Sequence, residues 1–116
     1  MIEQFKIYTK TVEFIAWFFP IINKFPKAQR FVLGQQIETT GIEVLKAIIR
    51  ANHQTDLAAR KHLLAEVDLQ IELLRSLLRV AHLLGFLSHK QYEHALMRVS
   101  ELGKMLGGWK KQTASA

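Results

Sequence analysis

The feature that most constrains this chain is the scarcity of helix-breaking residues between long stretches of helical period. The 116 residues include two prolines and six glycines. Between these positions, apolar residues recur three or four places apart, which is the spacing of one face of an α-helix. Four such segments are separated by short polar links. This pattern predicts an all-α fold, namely an antiparallel up-down-up-down four-helix bundle.

The first two predicted helices cover about residues 2–22 and 26–51. In the first, apolar residues follow a 3-4-3-4-3 spacing at Phe5, Tyr8, Val12, Ile15, Phe19 and Ile22. Pro26 is predicted at the first position of the second helix, where its fixed φ is harmless. The apolar face of that helix consists of Gly34, Ile37, Gly41, Val44 and Ile48. Because interior glycine costs about 1 kcal/mol relative to alanine, the two glycines predict close approach of a neighbouring helix.

The third predicted helix has two apolar faces, and it runs from a cap at Thr55 or Asp56 to Leu84, before Gly85. The first face consists of Leu64, Val67, Ile71, Leu74, Leu78 and Ala81. The second consists of Leu69, Leu73, Leu77, Val80 and Leu84. A single bundle buries one face of each helix, so the second face predicts an interface between identical chains. The alternative is that the extra leucines cover a wide core face.

The fourth predicted helix begins at a capping box formed by Ser88 and Gln91, three residues apart. It carries apolar residues at Tyr92, Leu96, Val99 and Leu106, and it is predicted to stop at Gly107-Gly108. Residues 109–116 are then predicted to be a frayed basic tail. The bundle would accordingly cover residues 1–108.

The composition favours an acidic partner. Sixteen Lys and Arg against ten Asp and Glu give a net charge of +6, which favours nucleic acid over an anionic membrane surface. The longest apolar run, residues 14–22, contains Pro20 and is too short to span a bilayer. The chain has no cysteine, which fits a reducing compartment. We therefore expect a cytoplasmic protein that does not bind membranes.

Most charges on a helix have a counterion three or four residues away. Pairs of this kind are predicted for Lys6–Glu3, Lys10–Glu13, Lys46–Glu43, Arg60–Asp56, Arg75–Glu72 and Lys90–Glu93, and for Arg98 and Lys104 with Glu101. The cations without such an acid are Lys24, Lys27, Arg30, Arg50, Lys61, Arg79, Lys110 and Lys111. About half of these are expected to find acids on other helices. Together with Arg75, these eight residues are the candidate nucleic-acid-binding set.

The start of the second helix is the most unusual part of this set. Lys24, Lys27 and Arg30 surround a helix end that already carries partial positive charge, and positions 14–37 contain no acid. Each cation there costs a few tenths of a kcal/mol. Free N–H groups at a helix N-terminus suit phosphate, so this end is predicted to bind the backbone of a nucleic acid. Lys61 and Arg79 lie at the same angle on the third helix, and they are predicted to form a second part of the surface.

No arrangement of residues indicates catalysis, a metal or a cofactor. The five histidines match neither His-Glu-x-x-His nor the paired Glu-x-x-His motifs of di-iron bundles. The aromatic cluster at Trp17, Phe18 and Phe19 could stack on bases, but such a cluster at the end of an amphipathic helix more often belongs to the core. We therefore expect no catalytic residue, no metal and no cofactor in a protein that is not an enzyme.

Three stretches resemble the accessory variability determinant proteins of diversity-generating retroelements. They are NKFPKAQRFVLGQQIE (23–38), LLRSLLRVAHLLGFLSHKQYE (73–93) and ELGKMLGGWKK (101–111). The most specific parts are Phe-Pro-Lys-x-x-Arg-Phe and Met-Leu-Gly-Gly-Trp, and the resemblance covers about residues 4–112. The four-helix proteins encoded in ribosomal-RNA intervening sequences share the first motif more loosely.

The resemblance implies a homopentameric barrel of four-helix protomers, which would use the second apolar face of the third helix. It also implies a basic, non-catalytic protein that binds nucleic acid and the element's reverse transcriptase. Together they would support mutagenic cDNA synthesis from template RNA. The alternative is a four-helix scaffold of the intervening-sequence type, without a reverse transcriptase partner. The sequence does not distinguish RNA from DNA as the ligand.

Overall fold

Four long helices joined by short links make up the described part of the chain. The computed structural model describes the backbone of residues 2–116 and the side chains of residues 4–116. Helix α1 is Ile2–Ile22, α3 is Leu57–Leu83 and α4 is His89–Ser115. Between α1 and α3, three contiguous segments form α2: an α-helical turn Lys27–Gln29, a π-helix Arg30–Gly34 and an α-helix Gln35–His53. The described residues contain no strand, so the predicted all-α class is confirmed, and the arrangement is compatible with a four-helix bundle.

The helices enclose one core that extends along a molecule 46 Å long. Helix α1 packs against α2 and α4, and α3 packs against the same two helices. The predicted core faces of α2 and α3 are confirmed, because every residue assigned to them is buried. The core face of α4 includes Ala95, Val99, Leu102, Leu106 and Trp109.

Of the apolar pattern predicted for α1, only Ile22 belongs to the buried core face. Phe5 is 71% exposed, and Tyr8 and Val12 are also exposed. The buried side of α1 consists instead of Ile7, Thr11, Phe14, Phe18 and Ile22. This second pattern is interrupted by Thr11, whose hydroxyl donates to the Ile7 carbonyl at 2.7 Å and is thereby satisfied inside the core.

Local signals set most helix ends. The Asp56 carboxylate accepts from the Ala59 N–H at 2.9 Å, and Ser88 and Gln91 form the predicted capping box. Gly85 has a φ of +81° and ends α3 in a Schellman arrangement, in which the Phe86 N–H donates to the Ala81 carbonyl at 2.9 Å.

Helix α2 begins one residue later than predicted, at Lys27. Pro26 is the N-cap rather than the first helical residue, with a ψ of 140°. Its carbonyl accepts from the N–H groups of Gln29 and Arg30 at 2.8 and 3.0 Å. No side chain caps this helix end, and its first turn contains no acid.

The two glycines of α2 have different roles. A Cβ at Gly34 would lie 2.6 Å from Ile22 Cγ2, so the predicted close approach to α1 is confirmed there. A Cβ at Gly41 would lie 3.7 Å from Ile15 and Phe19, which is ordinary van der Waals contact. The prediction that Gly41 is needed for close packing was therefore wrong.

The predicted end of α4 at Gly107-Gly108 was also wrong. The helix continues to Ser115, Trp109 is 0% exposed and Thr113 is buried. Two glycines cost about 2 kcal/mol of helix propensity, whereas burying an indole of 150–250 Å² contributes roughly 4–6 kcal/mol. Residues 109–115 are therefore the last turns of the bundle and not a frayed tail.

Candidate nucleic-acid and assembly surfaces

Half of the acid-free cations, Lys24, Lys27, Arg30 and Arg79, lie at one end of the bundle. The rings of Phe25 and Phe86 lie 5.7 Å apart between centroids, so the α1–α2 and α3–α4 links meet there. We call this the Phe25–Phe86 end. Lys24 and Lys27 are exposed at it, and neither forms a salt bridge with a described residue. Arg79 is exposed in the last turns of α3, which also end there.

Arg30 is less available than its two neighbours. Its side chain is half-buried, and one guanidinium nitrogen donates to the Asn23 carbonyl at 3.4 Å. Its Nε is buried and has no hydrogen-bond partner among the described residues. Arg30 therefore partly serves to hold the α1–α2 link.

Phe31 is a candidate that the sequence reasoning missed. It is 70% exposed and lies in the π-helical segment, beside exposed Val32. A shallow groove beside it is lined by Ile22, Asn23, Arg30, Gln35 and Glu38. The available signal was the run Phe31-Val32-Leu33, since an amphipathic helix cannot bury three consecutive residues on one side. Here Leu33 is buried and the other two face solvent.

The structure separates Lys61 from Arg79. Both are exposed on α3, but they lie about five turns, or ~27 Å, apart along that helix. Lys61 lines a groove with Lys110 near the opposite end of the bundle. Of the other candidates, Arg50 and Lys111 are exposed. Arg75 lies near α4, because one of its guanidinium nitrogens is 3.6 Å from the position that a Cβ would take at Gly103.

Among the described residues, Lys110 is the one cation of the eight that pairs with an acid on another helix, so the expectation that about half would do so was wrong. Its Nζ lies 2.7 Å from Asp68 Oδ2 on α3. This bond leaves Lys110 a weaker candidate for contacting phosphate than Lys24, Lys27 or Arg79, because its charge is already neutralised locally.

The predicted pairs within helices are confirmed in part. Lys10–Glu13 and Lys46–Glu43 are present at 3.6 and 3.3 Å. Among the described side chains, no salt bridge joins Arg75 to Glu72, Lys90 to Glu93, or Lys104 to Glu101. Glu3, the predicted partner of Lys6, lies outside the side chains that the structure describes.

Two arginines make other contacts than those predicted. Arg60 donates to the carbonyl of Gln54 at 2.6 Å from Nη2 and to that of Ala51 at 3.2 Å from Nε. It thus satisfies carbonyls at the end of α2 rather than pairing with Asp56. Arg98 donates to His94 Nε2 at 2.8 Å, and its guanidinium lies 5.0 Å from the ring centroid of Trp17.

The aromatic cluster of α1 packs in the core, as favoured from the sequence. Phe18 is fully buried and stacks on Phe14 with ring centroids 5.4 Å apart. Trp17 and Phe19 are half-buried against the same core, and Trp17 also packs on His94 at 4.5 Å. No group of three or more His, Asp or Glu residues that could hold a metal ion occurs within the described chain.

Two separate apolar surfaces are exposed on the bundle. The α3 face consists of Leu69, Leu73, Leu77, Val80 and Leu84; all are exposed except half-buried Leu77, and Leu69 is 60% exposed. The alternative that these apolar residues widen the core is therefore wrong for four of the five. The α1 face, which was not predicted, consists of Phe5, Tyr8 and Val12 together with Ile49 of α2. No described helix is long and apolar enough to cross a membrane.

The fold and its surfaces define a small, basic, all-helical bundle protein. Residues 5–113 match the family model described as bAvd-like, and the chain belongs to this family. The match is consistent with an accessory variability determinant protein and indicates the accessory role in diversity-generating retroelements. A search of curated proteins found no match.

Proposed function

We propose that this protein is a non-catalytic accessory factor of a diversity-generating retroelement, which binds nucleic acid and the element's reverse transcriptase in the cytoplasm. In this role it supports mutagenic cDNA synthesis from template RNA. The observation that carries the proposal is the family match over residues 5–113. The exposed cations at the Phe25–Phe86 end support its nucleic-acid part.

Nucleic acid is proposed to contact the Phe25–Phe86 end through Lys24, Lys27 and Arg79. These cations would neutralise phosphates, which gives affinity with little sequence preference and strong salt dependence. Phe31 would add stacking on an unpaired base, a contribution of about 1–3 kcal/mol that every base can make. The combination favours single-stranded segments over duplexes.

The protomer is proposed to be an antiparallel bundle that assembles into a ring of five through the α3 face. Two observations support the antiparallel order of α3 and α4. Asp68 bonds to Lys110, and Arg75 Nη2, later in α3, lies 3.6 Å from the position that a Cβ would take at Gly103, earlier in α4. In a ring each cation is repeated around the axis, so modest single contacts add into a strong field.

A filter-binding titration with single-stranded RNA tests the nucleic-acid part. Lys24→Ala combined with Lys27→Ala is expected to lower affinity about tenfold or more at moderate salt and to flatten the salt slope. The matched control is Lys46→Ala with Lys104→Ala, which removes the same charge from two exposed lysines that belong neither to the candidate set nor to either apolar face. Equal losses in both variants would mean that only net charge matters. No loss in either would favour a scaffold that does not bind nucleic acid.

The reverse transcriptase part has its own tests. A reverse transcriptase gene with paired near-repeats beside this gene is expected, and the polymerase should co-purify with the tagged protein. The absence of both would favour the intervening-sequence type of scaffold.

A further inference from the structure

We propose that the α3 face of one protomer packs against the α1 face of the next, so that the interface joins two different surfaces. This inference rests on the assembly part of the proposed function and names the second surface of that assembly. The occupant of the α1 face is therefore a second copy of this chain, through Leu69, Leu73, Val80 and Leu84.

The α1 face has the properties of a surface that is covered in the assembled protein. Phe5 is 71% exposed, and Tyr8, Val12 and Ile49 are exposed beside it. The core does not require them, because the opposite side of α1 supplies the buried residues. Phe5, Tyr8 and Ile49 also line one continuous groove between α1 and α2, together with Asn52 and His53.

The two faces match in length. The α3 face extends from Leu69 to Leu84, or ~22 Å along its helix. The α1 face continues past Val12 into half-buried Ile15 and Phe19, and Phe5 to Phe19 covers ~21 Å. The α3 face can therefore lie along the α1 face, starting in the groove beside Phe5 and Tyr8.

The two faces also match in area. From the fractional exposures, each presents on the order of 300 Å² of apolar surface, given 150–250 Å² for a fully exposed aromatic side chain and less for leucine or valine. A standard interface buries about 800 Å² per partner, of which roughly 60% is apolar. Pairing the two faces therefore supplies most of the apolar area that a stable interface needs.

Charge complementarity sets the orientation. Glu66 and Glu72 flank Leu69 at helical spacing, whereas Lys6 and Lys10 line the surface beside Phe5. Lys10 already lies 3.6 Å from Glu13, so Lys6 is the main cation at this end of the α1 face. Opposite charges across an interface favour one register. The Leu69 end of the α3 face is therefore assigned to the Phe5 end of the α1 face.

Symmetry explains why two faces are needed. If the α3 face paired with itself across a twofold axis, the assembly would close as a dimer and leave the α1 face uncovered. The α1 face lies on the α1–α2 pair, whereas α3 packs against α2 and α4, so the faces are on different sides of the bundle. Two different complementary faces generate a closed ring when the rotation closes.

The absence of cysteine allows a direct test by cross-linking the intact chain. Val12→Cys, Leu73→Cys and the double variant are treated with a short bis-maleimide and analysed by denaturing electrophoresis. Each single variant is expected to remain uncross-linked, and the co-expressed single variants should give dimers. The double variant should give a ladder that ends at the ring size. Phe5→Cys should link to Leu69→Cys in preference to Leu84→Cys.

The outcomes separate the inference from the proposed function. Efficient cross-linking of Leu73→Cys alone would overturn the inference in favour of a twofold interface. The inference would also be overturned if the Val12→Cys, Leu73→Cys double variant is an oligomer by light scattering but gives no more cross-linked product than a control. The control is Ser100→Cys, which is exposed on α4. A monomer mass for the unmodified chain would instead remove the proposed assembly itself, whereas nucleic-acid binding is measured independently.

Discussion

Lys110 Nζ lies 2.7 Å from Asp68 Oδ2 and so joins the last turns of α4 to the first half of α3. The pair is partly exposed, so it adds at most about 1 kcal/mol to stability. Its main consequence is functional, because it neutralises one cation of the candidate nucleic-acid surface. The buried side chain one position earlier, Trp109, provides the stronger attachment of these turns.

Replacing Trp109 tests whether residues 109–115 belong to the bundle. Trp109→Ala should lower the free energy of unfolding by about 3–5 kcal/mol, since it leaves a large cavity. Trp109→Phe should cost much less, because the indole N–H has no hydrogen-bond partner among the described residues. Urea denaturation followed by circular dichroism measures both. Lys111→Ala, at an exposed site, is the control. Equal stability of Trp109→Ala and this control would mean that residues 109–115 are a frayed tail after all.

Alanine at the two glycines of α2 should have opposite effects. Gly34→Ala should destabilise by about 1–3 kcal/mol, because its methyl group would lie 2.6 Å from Ile22 Cγ2. Gly41→Ala should stabilise by up to about 1 kcal/mol, since the site has room and alanine favours helix. Thermal unfolding distinguishes the two, and a shift of the same sign in both would contradict the packing described for α1 and α2.

Leu73→Glu should release helical protomers from the assembly. A carboxylate buried at an interface costs several kcal/mol, whereas in the isolated protomer Leu73 is exposed and the change is tolerated. Light scattering measures mass, and circular dichroism checks helix content. Ser100→Glu on α4 makes the same charge change away from both faces. An unchanged mass for Leu73→Glu would exclude the α3 face as the interface.

Phe31→Ala should weaken binding of single-stranded RNA by about 5- to 150-fold, which corresponds to the loss of about 1–3 kcal/mol of stacking on one base. Phe31→Trp should retain binding, and its fluorescence should be quenched when RNA binds. Binding of duplex RNA should change little, because its bases are already stacked. Met97→Ala removes another exposed apolar side chain, on α4, and serves as the control. Equal loss for single strands and duplexes would mean that Phe31 acts on assembly rather than on bases.

The number of helices and most of their ends follow from local signals in the sequence. Asp56, Ser88 with Gln91, and Gly85 act on backbone groups within a few residues, so their effects can be read locally. The core face of α3 was equally readable, because all of its residues lie at one angle. The exposed cations Lys24, Lys27 and Arg79 could also be identified from the sequence, because no acid lies three or four residues away from any of them.

Packing between helices sets the buried side of α1, the length of α4 and the acid that neutralises Lys110. Each depends on residues far apart in sequence. Gly34 admits α1 near Ile22, the core holds Trp109 beyond two helix-weakening glycines, and Asp68 reaches Lys110 from another helix. Local propensities amount to a kcal/mol or so per residue. Burial of large side chains contributes several times more, so packing between helices prevails wherever the two disagree.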